Sequence, residues 1–496
     1  MSQKAIVIGA GVGGLATAIR LAHKGIEVVL YEKNEYVGGK LSAFEKEGYS
    51  FDAGPSLFTK PTLLVELFND VGEDLNTYLS YKKVDTACTY FYEDGTIVAA
   101  STNAENFAEE LQAKLGESKQ SVLNYLQNSK NLYEHTGNFF LTKTLHKTAS
   151  FLSKSFLKAF KGVKPTYVLN SLNKYNQKQF KNPKTVQLFN RFATYNGSNP
   201  FKAPAMLSVI PHLEHNDGTY YPKGGMISIT NALYTLAKKK GVQFELGTKV
   251  DKIIANHHKL KGVVVNGKNV YANIVVSNMD AYFTYKNLLQ NQHRATKILK
   301  QERSSSALIF YWGITKPFPQ LGLHNIIFGN NYKQEFEYIF KRKTFFDNPT
   351  IYINITSKEE PNAFTPSGCE NWFVMINVPA NNGQPWDALI PKYKQAIISK
   401  IKHQFNIDIE PLIAVEEILQ PQTIESNTMS YMGSLYGTSS NSKMAAFLRH
   451  PNFNKIDNLY FVGGSVHPGG GIPLCLHSAK IVEDLVCKKS EKQKKH

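Results

Sequence analysis

The apolar positions of the first thirty residues change period twice. Lys4-Ala-Ile-Val-Ile8 is a short apolar run, Leu15, Ile19 and Leu21 then recur at helical spacing between Gly14 and Lys24, and Ile26 to Tyr31 is again a short, largely apolar run. This pattern predicts strand, helix and strand, the βαβ unit of a parallel sheet. The same style returns downstream. Residues 242–246, 261–265 and 274–277 predict three strands, and residues 459–462 predict another, followed by a glycine-rich loop and a helix over 478–486. One sheet shared by these pieces makes the first domain discontinuous, over residues 1–80, 215–285 and 450–490. Residues 81–106 and 286–449 then form a second domain with a mixed sheet, and residues 107–214 a helical insertion.

The turn between the first strand and helix carries chemistry. Gly9-Ala-Gly11-Val-Gly-Gly14 is a complete GxGxxG in the right context. Gly9 permits the tight turn, Gly11 lets backbone approach a pyrophosphate, Gly14 lets helix and strand pack, and the helix N-terminus faces the phosphates. Glu32, at the end of the second strand, is placed to accept both ribose hydroxyls, which favours adenosine without a 2′-phosphate. Val37-Gly38-Gly39-Lys40 and Phe51-Asp-Ala-Gly54-Pro55-Ser56 add glycine turns that can wrap a longer dinucleotide, and Gly463-Gly464-Ser-Val-His467-Pro-Gly-Gly-Gly471-Ile472-Pro473 brings a second glycine loop ahead of the last helix. A helix N-terminus there stabilises negative charge on a reduced flavin, so these loops point to FAD rather than a nicotinamide.

Charge changes the picture next. Fifty-seven basic against 40 acidic residues leave +17, an excess that asks for an anionic partner or surface. Residues 135–213 contain eleven Lys, one Arg and no acid, so +12 of it sits there. Leu145, Phe151, Leu152 and Phe156 interleave with Lys143, Lys147, Lys154 and Lys158, the pattern of an amphipathic helix on an anionic membrane surface. A plain solvated face does not need those Phe and Leu, and nucleic acid is not expected where lysine so outnumbers arginine. No apolar run is long enough to span a bilayer. Cys88, Cys369, Cys475 and Cys487 are too scattered for a disulfide framework or zinc site, so no metal is expected and a reducing, cytoplasmic compartment is. The lysine-rich end from Lys488 reads as a solvated tail.

The glycine motifs, with Asn196-Gly-Ser-Asn-Pro200 and Tyr221-Pro-Lys-Gly-Gly225, resemble the bacterial phytoene-desaturase family of carotenoid dehydrogenases over nearly the whole chain. The resemblance implies an α/β fold with a discontinuous Rossmann-like FAD-binding domain of the glycine-pair flavoprotein type, a mixed-sheet substrate domain and a membrane-facing insertion. It implies non-covalent FAD, a carotenoid substrate taken from the membrane, hydride transfer from a C–C bond beside a polyene, and oxygen or a quinone as final electron acceptor. Localisation follows as cytoplasmic, peripheral on the inner face of the cell membrane. Lys33, Gly39, Lys40, Gly54, Pro55, Ser56 and the backbone of Val250 join Gly9, Gly11, Gly14, Glu32, Gly463, Gly464, Gly471, Ile472 and Pro473 as expected cofactor residues. Lys40 stands where the family usually has arginine. Arg191, one of six arginines, and Asn196 are expected in the substrate region, although Arg191 also suits a surface ion pair. His467 is the one candidate acid or base, set against a hydrogen-bonded loop residue. The Val-His-Pro-Gly-Gly-Gly-Ile-Pro form is similar to family members acting late, such as 3,4-desaturases of hydroxylated acyclic ends. Phytoene desaturation and flavin-dependent isomerisation are the alternatives, with a prenyl-binding module that does no catalysis beyond them.

Overall fold

A computed structural model describes residues 3–444 and 449–494. The central sheet has five parallel strands in the order Gln243–Glu245, Glu27–Tyr31, Lys4–Ile8, Ile274–Ser277 and Leu459–Phe461. Pieces from the beginning, middle and end of the chain therefore pair side by side, with Ala5 opposite Ile274 and Val275 opposite Leu459. Both faces are covered, as a parallel sheet requires. Helices Val12–His23, Ile227–Lys239 and Ile472–Lys494 bury Leu15, Ile19, Leu233, Leu236, Ala479 and Val482 on one side. An antiparallel meander, Val250–Asn256, Lys259–Val265 and Lys268–Tyr271, packs Val250, Ile253 and Val263 on the other.

Two boundaries differ from expectation. The first helix starts at Val12, and the last starts at Ile472 and continues to Lys494, where the sequence suggested a loop at one end and a solvated tail at the other. Pro473 is compatible with this, because proline is tolerated in a first helical turn whose N–H groups have no partner. The end of the expected tail, residues 495–496, lies outside the described residues.

The second sheet has seven strands, in the order Ile413–Leu419, Ser306–Ile314, Glu370–Val378, Ile351–Ile355, His324–Ile327, Thr86–Phe91 and Ile97–Ser101. It is mixed, since His324–Ile327 runs parallel to Thr86–Phe91 and the other pairs are antiparallel. The period of two sorts its side chains. Leu308, Phe310, Trp312 and Ile314 pack with Trp386, Leu389 and Tyr393 of helix Trp386–Phe405, whereas Ile309 and Tyr311 face a cavity. Strand Tyr81–Lys83 pairs with Thr219–Pro222 and not with this sheet, so residue 81 is not a sharp division.

The basic segment is not one amphipathic helix. After the long helix Lys119–Phe140 come Thr148–Phe151, Lys154–Gly162 and Pro165–Leu169. Ser153 interrupts the run by accepting the Phe156 N–H at a new N-terminus, and Pro165 starts another. The expected apolar stripe is also divided. Leu145 is buried and Phe151 and Phe156 pack on Phe139, while Leu152, Leu157, Phe160 and Leu169 are 87%, 59%, 74% and 62% exposed. Among the described residues no helix is long and apolar enough to cross a membrane.

Candidate active site

The glycine loop is built by backbone contacts that exclude side chains. A Cβ on Gly14 would lie 2.0 Å from the Gly9 carbonyl oxygen, and one on Gly54 would lie 1.7 Å from that of Lys40. Glu32 braces the loop directly: its carboxylate accepts the Ala10 N–H at 2.8 Å and the Asn34 N–H at 2.9 Å. The helix that begins at Val12 has Gly11 at its N-cap, with no side-chain cap and no acid in its first turn. Its end N–H groups therefore remain available to an anion. The expected cofactor residues Gly9, Gly11, Glu32, Lys33, Gly39, Lys40, Gly54, Pro55, Ser56, Val250, Gly463, Gly464, Gly471, Ile472 and Pro473 all line one cavity of about 1530 Å³. A single ligand site is usually about 300–1,000 Å³, so this space suits a dinucleotide and a second large molecule. Bare backbone at the loop, free donors at the helix end and a carboxylate at the strand end fit FAD.

Two lysines make contacts not foreseen. Lys33 Nζ donates to the Ser426 carbonyl. Lys40 is partly buried and donates to the carbonyls of Leu435 at 2.9 Å and Ser434 at 3.3 Å. Burial pulls Lys40 down to about 8, with Asp280 opposing the shift, so it stays largely cationic at neutral pH beside the cradle. Cys475 packs there too, its thiol pushed up to about 11 by burial.

His467 does not take the expected catalytic place. Its ring is absent from the cavity wall, is 2% exposed, and bonds through Nε2 to the Lys143 carbonyl at 2.9 Å. Burial lowers it to about 3, so it is neutral near pH 7. It ties the last glycine loop to the helical insertion, which is the hydrogen-bonded loop role.

Arg191 and Asn196 do reach the wall. Arg191 is buried rather than on the surface, with Nη2 2.6 Å from Glu214 and Nη1 3.1 Å from the Tyr195 hydroxyl. Asn196 accepts from Arg449 at 2.9 Å and donates to Ser440 at 2.6 Å. Arg449 itself also donates to the carbonyls of Tyr436 and Thr438. Sequence reasoning missed Arg449 and Asn278. Asn278 follows a central parallel strand and donates to the Gly9 carbonyl at 3.3 Å. Its place at the carboxyl end of that strand was the available signal. Ile309, Tyr311, Phe373, Phe139, Phe160 and Val168 line the same cavity as the cradle, and of these Phe160 and Val168 are exposed apolar side chains of the insertion.

A family model described as flavin containing amine oxidoreductase matches residues 12–306, and the chain belongs to that family. It is an FAD-dependent oxidoreductase. Among its relatives, the 1-hydroxycarotenoid 3,4-desaturase of Flavobacterium sp. (strain P99-3) is 55% identical over 98% of this chain and 99% of the relative. The 4,4'-diapolycopene oxygenase of Methylomonas sp is 33% identical over 98% of each chain. A solved oxidoreductase from Methanosarcina mazei shares the fold, with a TM-score of 0.63 at 15% identity, covering 98% of this chain and 100% of that one. These relatives agree with the resemblance to carotenoid desaturases carried by the glycine motifs.

Proposed function

We propose that this protein is a carotenoid desaturase that introduces a 3,4 double bond into a 1-hydroxylated, γ-carotene-type polyene. The observation that carries the reading is one cavity whose wall includes the FAD cradle, the apolar side chains of Ile309, Phe373 and Phe139, and the exposed Phe160 of the insertion. Bound FAD supplies the hydride acceptor. The chain's own contribution is to hold a long apolar molecule in line with the cradle, through Ile309, Tyr311, Phe373 and Phe139, and to exclude water from it. The aromatic walls favour a polyene on which positive charge develops as hydride leaves.

The protein is further assigned to the inner face of the cell membrane, from the cytoplasm. Leu152, Leu157, Phe160 and Leu169 supply apolar wedges, and Lys154, Lys158, Lys161 and Lys164 around them are exposed. Together these offer both terms an interfacial site needs, burial and attraction to anionic lipid. Oxygen or a membrane quinone serves as final electron acceptor. The test is anaerobic: FAD-loaded protein is mixed with liposomes carrying phytoene, lycopene or the 1-hydroxylated polyene, and flavin bleaching is followed with product absorption and mass. Bleaching with a red-shifted product two hydrogens lighter, fastest with the hydroxylated compound, supports the proposal. Retained flavin with no bleaching on any of the three overturns it, and an altered absorption at unchanged mass points to isomerisation. Re-oxidation by quinone-loaded or oxygenated liposomes then separates the two acceptors.

A further inference from the structure

The two glycine loops of the cradle come from opposite ends of the chain, and one side chain occupies the space between them. Asn278 follows strand Ile274–Ser277 and lines the cavity. Its backbone N–H donates to the Ile8 carbonyl at 2.8 Å and its side-chain Nδ2 to the Gly9 carbonyl at 3.3 Å, so the residue is held against the first loop. Glycines bound the amide on its other sides. A Cβ on Gly11 would lie 2.8 Å from Nδ2 and one on Gly14 3.2 Å from it, while a Cβ on Gly13 would lie 2.9 Å from Oδ1 and one on Gly463 2.5 Å from it. These separations are well inside the roughly 3.5–4.0 Å at which a carbon packs against its neighbours. Gly11, Gly13 and Gly14 belong to the first loop and its helix, and Gly463 opens the last loop, so the amide is wedged between the two. At Gly13 the loops also meet directly, since its Cβ would stand 3.2 Å from the Gly463 nitrogen and Cα.

Gly11 separates the part of the side chain from that of the cofactor. The second glycine of such a loop is usually explained by the approach of a pyrophosphate to bare backbone. Here the direction in which Gly11 lacks a side chain points at Asn278. After Nδ2, the next neighbours of a Cβ are the Asn278 Cγ and the Gly38 carbonyl oxygen, both at 4.0 Å, which is ordinary contact. With φ −67° and ψ 170°, Gly11 also has a backbone that alanine adopts without strain. We propose that Asn278 is a positioning residue for the cofactor, which sets the distance between the two loops and so holds the two ends of FAD at one spacing, and that Gly11 is glycine to make room for it. A ligand that spans both loops depends on this spacing, because loops arranged in advance spare it the cost of ordering them, whereas a ligand confined to the first loop does not. An amide suits the place, since it donates to Gly9 without setting a negative charge beside a pyrophosphate.

The test is a set of binding constants on the full-length holoprotein. FAD release on dilution, read as recovered flavin fluorescence, gives the Kd of FAD, and displacement gives that of ADP, which carries the adenosine and pyrophosphate without the flavin. Asn278→Ala is expected to weaken FAD about 10-fold or more and ADP less than about threefold. Gly11→Ala forces a methyl group on the amide and is expected to weaken both ligands about 10- to 100-fold. Adding Asn278→Ala to it should recover most of that loss, leaving the double variant within about threefold of Asn278→Ala alone, because the two changes act on one contact. Adding Asn278→Asp, which keeps the volume, should recover nothing. Should Asn278→Ala not fold, Asn278→Ser, one atom shorter than asparagine, takes its place in both comparisons. Equal losses of FAD and ADP in Asn278→Ala mark a merely structural side chain and overturn the proposal. So does a Gly11→Ala protein that binds like the wild type, or a double variant whose losses simply add, which would mean that the methyl group meets the cofactor itself.

Discussion

Four buried histidines make the fold sensitive to acid in a way that can be calculated. Burial is the largest cause in each case and lowers His324 and His477 to about 4 and His450 and His467 to about 3. Each folded-state value lies below the ordinary 6.5, so the stability concerned is complete above pH 6.5 and is lost as the pH falls toward 4 and 3. At pH 5 the unfolded chain binds a proton at each ring that the folded chain refuses, which costs about 2 kcal/mol per ring. The four together approach about 8 kcal/mol, comparable with the roughly 5–15 kcal/mol by which a domain is stable. His467 lies within the last glycine loop and bonds to the Lys143 carbonyl, while His450, bonded to the Tyr285 hydroxyl, accepts the His467 N–H at its own carbonyl at 2.9 Å. Release of FAD is therefore expected to accompany unfolding. Urea melts followed by flavin fluorescence at a series of pH values give the slope of stability against pH, to which these four rings contribute about three to four protons between about pH 6 and 5, opposed by Asp52, whose carboxyl burial raises to about 6. His467→Gln can keep a donor toward the Lys143 carbonyl without titrating, and should remove about one proton from that slope. A slope below two protons, or the same slope in the variant, would refute the reasoning.

Three further outcomes are expected. Gly54→Ala drives a methyl group into the Lys40 carbonyl oxygen, a backbone atom that cannot swing aside, so the purified variant should retain less than about a tenth of the wild-type flavin absorbance. Glu32→Gln keeps the shape but turns one acceptor of the Ala10 and Asn34 N–H groups into a donor, and should weaken FAD about 10- to 100-fold in a fluorescence titration. Replacing Lys154, Lys158, Lys161 and Lys164 with Glu should lower sedimentation with anionic liposomes by about 1,000-fold in partition coefficient at low salt, each lysine being worth about 1 kcal/mol near such a surface, and the loss should shrink as salt is raised.

The N-terminal strand, helix and strand were readable because local period, glycine spacing and the acid at Glu32 all agree on one arrangement. The strands Ile274–Ser277 and Leu459–Phe461 were readable as short buried runs, although the pairing of the first with Lys4–Ile8, and of the second with the first, joins distant parts of the chain and is encoded by no local pattern. The basic segment misled for a physical reason. Its charges and apolar residues suit a helix, but Ser153 and Pro165 offer the backbone new starting points, and Phe139 competes for the apolar face that would otherwise point outward. His467 sat in the most specific motif and looked chemical, yet its ring is spent on holding Lys143. Arg191 kept its place on the cavity wall, but its partner Glu214 and its neighbour His324 come from separate parts of the chain and could be joined to it only in three dimensions.

Because residues as far apart as Ile8 and Cys475 line the same cavity, a growing chain has no complete FAD site until synthesis has passed Cys475. At roughly 5–20 residues per second that wait is about half a minute to a minute and a half. Once Ile274–Ser277 has been made, it lacks its neighbour Leu459–Phe461 until about 180 further residues follow, and meanwhile presents an open edge to any other chain. Cofactor capture thus waits on the synthesis of Cys475, and the yield of active protein is expected to depend on chaperone capacity and slow synthesis as much as on flavin supply.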